Sequence, residues 1–477
     1  MSATTRERIA RARAQAGNEP VLLGYDANGI QALITASSRP LAMLGVSTTI
    51  AAFDTSVATS PSAVFAGGGR GIELLARSEA ARRASELTRK FREDTHGGVL
   101  ATAFVPLDDR AEQDSLRWLR QRLDLAKDQA PPAGEDCDER RFPRSKSEHC
   151  DDCGEYRAVP GQSNHEGKPI CRRCHAMVAM GRSNARDVDE KVQSLLDLAP
   201  EGHRVAALSL DGNNLGEFFD GLSSLEATAT ASEALAQLFK VAANQARRTL
   251  KDKHQRDPRY RNNKVVSLAT GGDDLRVFLA DTDLLDYIDI FINTLHREAD
   301  KLGERGGTFS QFRRFGVGIG AVIADPHLPA KRLMKHAHDL ERSAKRICHS
   351  TGKPGARSAL DFAVLVAGEA SIADPLGRSE EDGRPLDLGD KWPIACQLAK
   401  RLQRVPSAQR ALLRDARTGD PAEFANLLRY QVARSEAWQQ FYGEPTWRDA
   451  QQVLDQQPRP VHLDLLHLLP DDDQQAI

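Results

Sequence analysis

Two apolar runs, Val265 to Thr270 and Leu275 to Ala280, meet at the four-residue turn Gly271-Gly272-Asp273-Asp274. Short apolar runs joined through paired glycines predict a tight β-hairpin, the element around which the surrounding chain must be arranged. Its tip carries two adjacent carboxylates, which repel and raise each other's pKa, so such a pair commonly persists where a divalent cation neutralises it. The bland alternative is a solvated turn, since Gly and Asp are common turn residues. Gly271 and Gly272 permit positive φ and a close approach of backbone to a phosphate. Upstream, the run Val205 to Leu210 ends in Asp211 and continues as Gly212-Asn213-Asn214-Leu215-Gly216, which opens a helix. A third carboxylate beside the hairpin would complete a magnesium (or manganese) site for phosphoryl chemistry.

The segment around this hairpin reads as strand, helix, hairpin, helix, strand. Ala234, Leu235, Leu238, Phe239, Ala242 and Ala246 recur at close to 3.6 residues on the first helix; Leu284, Ile288, Phe291, Ile292 and Leu295 do so on the second. A closing strand runs from Phe315 to Ala324, and a further helix from Ala330 to Ile347 supplies Lys335, Lys345 and Arg346. The order βαββαβ is the ferredoxin-like layout of polymerase and cyclase palms. A weaker copy occupies residues 20 to 128: Val21 to Tyr25 ends in Asp26, Ala63 to Ala66 runs into Gly67-Gly68-Gly69-Arg70, and a last helix ends in Ala126-Lys127, parallel to Ala344-Lys345. An internal duplication follows from that order. The first turn has no carboxylates, so this copy is expected to help bind a nucleotide without holding metal.

Between the copies, Cys150-Asp-Asp-Cys153 and Cys171-Arg-Arg-Cys174 form two CxxC pairs. Two such knuckles match a closed tetrahedral Cys₄ zinc site with a structural role, with His149 or His175 as substitute ligands. The chain has seven cysteines, and Cys137, Cys348 and Cys396 are read as spectators in a reducing compartment. With 65 basic and 67 acidic residues the net charge is −2, which excludes a global field for nucleic acid and leaves only local patches. The basic stretch Lys251 to Arg261 reads as a loop. No signal peptide and no uninterrupted apolar run of the roughly 20 residues a membrane span needs is present, so the expectation is a cytoplasmic protein without membrane contact.

The expected architecture is therefore α+β: an N-terminal tail (1–19), a degenerate first palm (20–130), a linker with the zinc knuckle (131–200), a second, catalytic palm (201–370), a C-terminal helical domain (371–460) and a flexible tail (461–477). Trp392, Phe424, Leu427, Trp438 and Trp447 are among the apolar positions of the helical domain.

The ordered set of Asp26-Ala-Asn-Gly-Ile-Gln31 with Gly67-Gly68-Gly69, the CxxC pairs, Asp211-Gly-Asn-Asn-Leu-Gly216 and Gly271-Gly-Asp-Asp274 with Ala344-Lys345 resembles the polymerase-like large subunit of type III CRISPR effector complexes. That family makes cyclic oligoadenylates from ATP. The resemblance spans residues 20 to 366. It implies that Asp211, Asp273 and Asp274 bind metal and carry catalysis, that the backbone of Gly212 to Gly216 receives a triphosphate at a helix start, and that Lys345 contacts phosphate. Asp26, Gly67 and Gly68 of the first palm would share an acceptor ATP. CRISPR effector subunits and guide or target RNA are the implied partners.

Departures accompany the likeness. Only about twenty residues precede the first palm, so an HD-type nuclease is not expected, and the lone His338-Asp339 pair reads as surface polarity. Asn213 stands where the family often carries an acid. Two other functions compete: an ATP-binding structural subunit of a ribonucleoprotein with little turnover, and a GTP-using diguanylate-cyclase-like enzyme, which would need one palm and would dimerise to pair its nucleotides.

Overall fold

A computed structural model describes residues 2–108, 111–130, 149–184, 192–198, 203–349, 357–365, 385–389 and 421–436, with a few isolated positions between 392 and 409. The chain carries two sheets of the same plan. The first is built from β1 (Pro20–Asn28), β2 (Ala63–Gly67), β3 (Arg70–Ala76) and β4 (Val99–Pro106) in the order β2-β3-β1-β4, antiparallel throughout. The second is built from β5 (Val205–Gly212), β6 (Val265–Gly271), β7 (Asp274–Ala280) and β8 (Val317–Ala324) in the equivalent order β6-β7-β5-β8. Beyond β8 it adds β9 (Ala359–Val364), parallel to β8, and the short β10 (Leu386–Asp387), which the sequence reading had not named.

Seven helices pack against these sheets or link them. They are α1 (Ser2–Ala16), α2 (Ile30–Ile34), α3 (Pro40–Ala58), α4 (Arg77–Asp94), α5 (Glu112–Gln129), α6 (Arg172–Asn184) and α7 (Leu215–Asp220). Three more serve the second palm: α8 (Leu225–Arg256), α9 (Leu284–Gly303) and α10 (Ala330–Cys348). The two palms are thus α+β units of βαββαβ order, as expected. Residues 2–16, expected as a tail, instead form α1, because Ile9, Ala12 and Ala16 find apolar cover against Leu22, Val64 and Leu74 of the first sheet and Ala229 of α8. Arg8 and Arg13 of α1 pair with Glu233 and Glu112. The basic stretch Lys251 to Arg261 is also not simply a loop, since α8 runs on to Arg256. The buried Asp283 anchors its end, taking Lys253 Nζ at 3.0 Å and His254 Nε2 at 2.8 Å.

The alternation of side chains along a strand gives the second sheet two apolar faces. Ala206, Leu208 and Leu210 of β5, with Leu275, Val277 and Leu279 of β7, face α8 and α9. Val205, Ala207 and Phe278 face the opposite way, into one core with α10 and with Leu41, Ala42, Met43 and Val46 of α3. The first palm's long helix therefore covers the second palm's sheet. With a mean hydropathy of 1.4, α3 is long and apolar enough to cross a membrane by those criteria, but most of it is enclosed in this shared core. Its first two turns, Pro40–Ser47, are buried all round, whereas Ala51, Ala52, Thr55 and Ser56 further along are exposed.

The same helix carries the cysteine lobe. α6 crosses α3 where two glycines meet: a Cβ on Gly45 would lie 2.2 Å from Met177 O, and one on Gly181 would lie 2.0 Å from Leu41 O. Backbone contact of that kind leaves no room for any side chain. Arg39, just before α3, donates its Nε to Asp152 at 2.5 Å in a nearly solvent-free ion pair. The C-terminal helical domain and the tail at 461–477 fall largely outside the described residues; within them, Pro421–Arg434 is helical.

Candidate active site between two palms

Strand register brings the three acids of the second palm together. Ser209 pairs with Arg276 and Leu210 with Leu275 across β5 and β7, so one step further Asp211 faces Asp274 at the strand end. Gly271 pairs with Asp274, leaving Gly272-Asp273 as a two-residue turn, and Gly272 takes φ +69°. That conformation is the reason for glycine there. Asp273 folds back over the end of β5, where a Cβ on Gly212 would lie 3.2 Å from Asp273 Cβ. A side chain at Gly212 would push the acid away.

Mutual repulsion shows in the protonation of the pair. Burial, then the charges of Asp211 and Asp274, push the Asp273 carboxyl up to about 7, with Arg70 working the other way. Burial and Asp211 push Asp274 up to about 6. Three carboxylates crowded at one sheet end supply hard oxygen donors, the set that suits magnesium or manganese. The donors present therefore fit the expected metal.

From α10, Lys345 ion-pairs with Asp211, and its Nζ lies 3.7 Å from Glu341 Oε1 one turn earlier. Burial would lower the Lys345 pKa, but Asp211 and Glu341 more than offset it and raise it. Glu341, only 1% exposed, accepts from Ser209 Oγ at 2.8 Å and meets His338 Nδ1 at 3.1 Å. His338, expected to be mere surface polarity, thus helps hold Glu341. Arg276 lies beneath the acids, 2% exposed, and its Nε and Nη2 have no hydrogen-bond partner among the described residues. Sequence reasoning missed Glu341 and Arg276; the i, i+4 spacing of Glu341 and Lys345 was the available signal.

The expected phosphate loop after β5 is only partly free. Asn214 caps α7 with φ +57°, and both it and Gly216 are exposed, whereas Leu215 packs partly into the core. The Asn213 amide is not available to a phosphate, because its N–H donates to Gly316 O at 3.0 Å and its side-chain amide to Arg357 O at 3.1 Å. Asn213 ties β5 to the start of β9, a reason for an amide where the related motif often has an acid.

The first palm repeats this construction with altered chemistry. Lys127 of α5 ion-pairs with Asp26 as Lys345 does with Asp211, and Gly29 precedes α2 at φ +62° as Asn214 precedes α7. Asp26 makes no helix cap; α2 has no side-chain cap bond. Gly67 pairs with Arg70 as Gly271 pairs with Asp274. The turn Gly68-Gly69 has φ +72° and +74°, and Asp54 of α3 fixes it by accepting from the Gly69 amide at 2.8 Å and from Tyr25 Oη at 3.1 Å.

In the lobe, the Sγ atoms of Cys150, Cys153, Cys171 and Cys174 all lie within 4.8 Å of one another. Tetrahedral thiolate coordination with metal–sulfur bonds of about 2.3 Å needs sulfurs roughly 3.8 Å apart, so a metal could be held with little adjustment. His149 and His175 are not needed as substitutes, and His149 Nδ1 instead meets Gly154 O at 3.1 Å. Among the described residues, Tyr156 and Ile170 complete the apolar cluster around the cysteines, too little to fold alone. Cys348 and Cys396 are buried apart from it, and Cys137 lies outside the described residues.

A duplicated palm with acids at one sheet end, an acid-free partner palm and a cysteine lobe between them defines a polymerase-like architecture. Residues 204–352 match the family model described as Cas10/Cmr2, second palm domain. Solved structures similar to the chain include a Csm1–Csm4 cassette in complex with cA4 (TM-score 0.53, 16% identity, 98% of this chain and 71% of that one). Csm1 from T. onnurineus is similar at TM-score 0.52 and 16% identity, over 96% of this chain and 71% of that one. A Csm1–Csm4 cassette in complex with one ATP gives TM-score 0.51 and 16% identity, over 97% and 71%. No curated protein matches the chain by sequence. The likeness to the large polymerase-like subunit of type III CRISPR complexes, read from the motif order, is thereby borne out.

Proposed function

We propose that the chain makes cyclic oligoadenylates from ATP as a second messenger of type III CRISPR-like antiviral defence. The observation that carries this reading is the convergence of Asp211, Asp273 and Asp274 at the end of the second sheet, in a chain whose first palm has the same frame and no acid pair. The likeness to Csm1–Csm4 structures holding cA4 or ATP supports the same reading.

Asp211, Asp273 and Asp274 would hold divalent metal, which when bound activates an acceptor hydroxyl and neutralises charge on the phosphates. The protein's own part is geometric and electrostatic. Gly272 sets the turn that aims Asp273. Lys345 holds Asp211 in place, with Glu341 and Ser209 behind it, and is positioned to shift its charge to a phosphate. The exposed backbone at Asn214 to Gly216 offers amide donors at the mouth of the cleft.

Zinc is the metal proposed for the cysteine lobe, holding α6 against α3. Type III effector subunits and guide or target RNA are the proposed partners. A diguanylate-cyclase-like reading fits less well, since both palms already sit in one chain and need no dimer to pair two nucleotides.

Purified protein with ATP, GTP and magnesium, its products identified by mass spectrometry, tests the proposal beside a D273A/D274A variant. Cyclic oligoadenylates absent from the variant are expected. Products from GTP without products from ATP would overturn the adenylate reading. No product, with nucleotide binding retained, would favour a structural subunit or a synthase that works only within an RNA-loaded complex.

A further inference from the structure

Away from both palm turns, the cysteine lobe encloses a recess that the chemistry proposed above leaves unused. Its volume is about 70 Å³ and one water needs about 10–15 Å³, so it admits an ion of phosphate size with a water or two. The walls come from four segments: Arg39 before α3, Ser163 and His165 of the lobe, His175 and Arg182 of α6, and Gln193. His175 and Arg182 lie two turns apart on one face of α6, while Gly181, on another face, meets α3.

The donors in this recess are only partly consumed by the fold. The Arg39 side chain is 10% exposed and is anchored at two of its three nitrogens: Nε donates to Asp152 Oδ1 at 2.5 Å, and Nη1 donates to His165 Nδ1. Its Nη2 has no hydrogen-bond partner among the described residues. Because Arg39 takes His165 Nδ1 as an acceptor, the ring keeps Nε2 as its donor. The side chains of Arg182 and His175 make no hydrogen bond or ion pair among the described residues, and the four cysteines close a metal shell without His175. A planar guanidinium fixed on one side by a carboxylate and an imidazole is preset to donate its remaining N–H groups to an oxygen.

Charge favours an anion with every acid of the lobe counted. Residues 149–184 carry five Lys or Arg and four Asp or Glu, and Arg39 and Lys331 add two cations through their ion pairs with Asp152 and Glu155. Zinc on four thiolates would subtract two charges, which leaves the lobe positive by one. Asp152 is taken up by Arg39, Glu166 by Lys168 at 2.9 Å, and no acid lines the recess among the described residues.

We propose that this recess is a binding site for a terminal phosphate group, held by Arg39, Arg182 and the imidazoles of His165 and His175. Donors that arrive from separate segments suit a tetrahedral anion, whose oxygens point in several directions, better than a planar carboxylate. A walled recess admits a phosphate at the end of a molecule, whereas a phosphodiester within a strand must leave on both sides. Free phosphate or a mononucleotide, and the phosphorylated end of an RNA, share this chemistry. The site stands apart from the palms and does not depend on what they synthesise.

Methyl NMR of the whole chain reads the site, because there are five methionines, of which Met177 and Met180 lie on α6 and Met334 on α10. Protein labelled at methionine Cε is titrated without magnesium, at constant ionic strength, with inorganic phosphate up to about 10 mM, enough to saturate a site of about 1 mM dissociation constant. The α6 methyls should shift and saturate while Met334 stays in place. R182Q, a surface change outside the palms, should weaken the response about fivefold or more, and R182K should recover part of it. Competition by AMP as strong as by phosphate, with no gain from RNA, would identify free phosphate compounds as the source. An RNA with a terminal phosphate binding about tenfold tighter than the same RNA with a hydroxyl end would identify the RNA end, and either result supports the site. No α6 shift in the wild type, an unchanged response in R182Q, or acetate acting as strongly as phosphate would overturn the inference.

Discussion

Replacing Asp273 by Asn should stabilise the metal-free protein while abolishing its metal-dependent chemistry. The Asp273 carboxyl is pushed from 3.8 to about 7, first by burial and then by Asp211 and Asp274. An acid whose folded pKa is raised binds its proton more tightly in the native state, so the native state is favoured at low pH and loses that advantage as pH rises from about 4 to about 7. At about 1.4 kcal/mol per pKa unit the ceiling on this penalty is roughly 4 kcal/mol. Sharing of the proton with Asp274 and screening in a solvent-lined cleft reduce it, and about 1–2 kcal/mol is the expected gain for D273N above pH 7.5. Urea unfolding in EDTA at pH 8 and pH 5 measures it: the variant should be the more stable at pH 8, and the gap should shrink at pH 5. Magnesium should raise the wild-type midpoint by mass action and leave D273N nearly unmoved. A variant that is less stable at pH 8, or a gap independent of pH, would refute the account of repelling carboxylates at this turn.

Removal of the lobe metal by a strong chelator, or C171S, should release about one equivalent of zinc, read colorimetrically, and lower the melting temperature by several degrees as the lobe loses its closure. G181A should place a Cβ against Leu41 O and force α3 and α6 apart, costing about 2–3 kcal/mol by denaturant unfolding, with the acids of the second palm untouched. D283A should leave Lys253 and His254 without their buried partner. Although burial alone would raise the Asp283 pKa, the His254 hydrogen bond and the Lys253 and His254 charges pull it below the ordinary carboxylate range, so its removal is expected to cost about 3 kcal/mol. E341Q should reduce turnover without destabilising the fold by more than about 1 kcal/mol, since Ser209 and His338 still find a polar partner.

Local chemistry was readable without a structure. The hairpin at Gly271 to Asp274, the strand end at Asp211 and the helices around them carry their signals within a few residues, because turn geometry and the periods of 2 and 3.6 are short-range properties. Two CxxC pairs announce a four-sulfur site for the same reason. The order of those elements then fixed two palms, since βαββαβ closes in few ways.

What the sequence did not disclose depends on contacts between distant segments. α1 looked like a tail because its few apolar residues mean little until the first sheet and α8 are beside them. The role of α3 as a shared wall of both palms was not legible because its first half, buried all round, has no apolar period to read, and only its docking into one core with the second sheet explains that burial. Glu341 and His338 were anonymous helix residues until α10 was laid across Ser209 and Asp211. Asn213 was weighed as a missing ligand, yet tertiary structure uses it to tie β5 to β9. Which acids exist was settled by the chain; which cation meets them, Lys345 laid against Asp211 by α10, was decided by the packing of that helix on the second sheet, because electrostatic pairing follows distance in space and not separation in sequence.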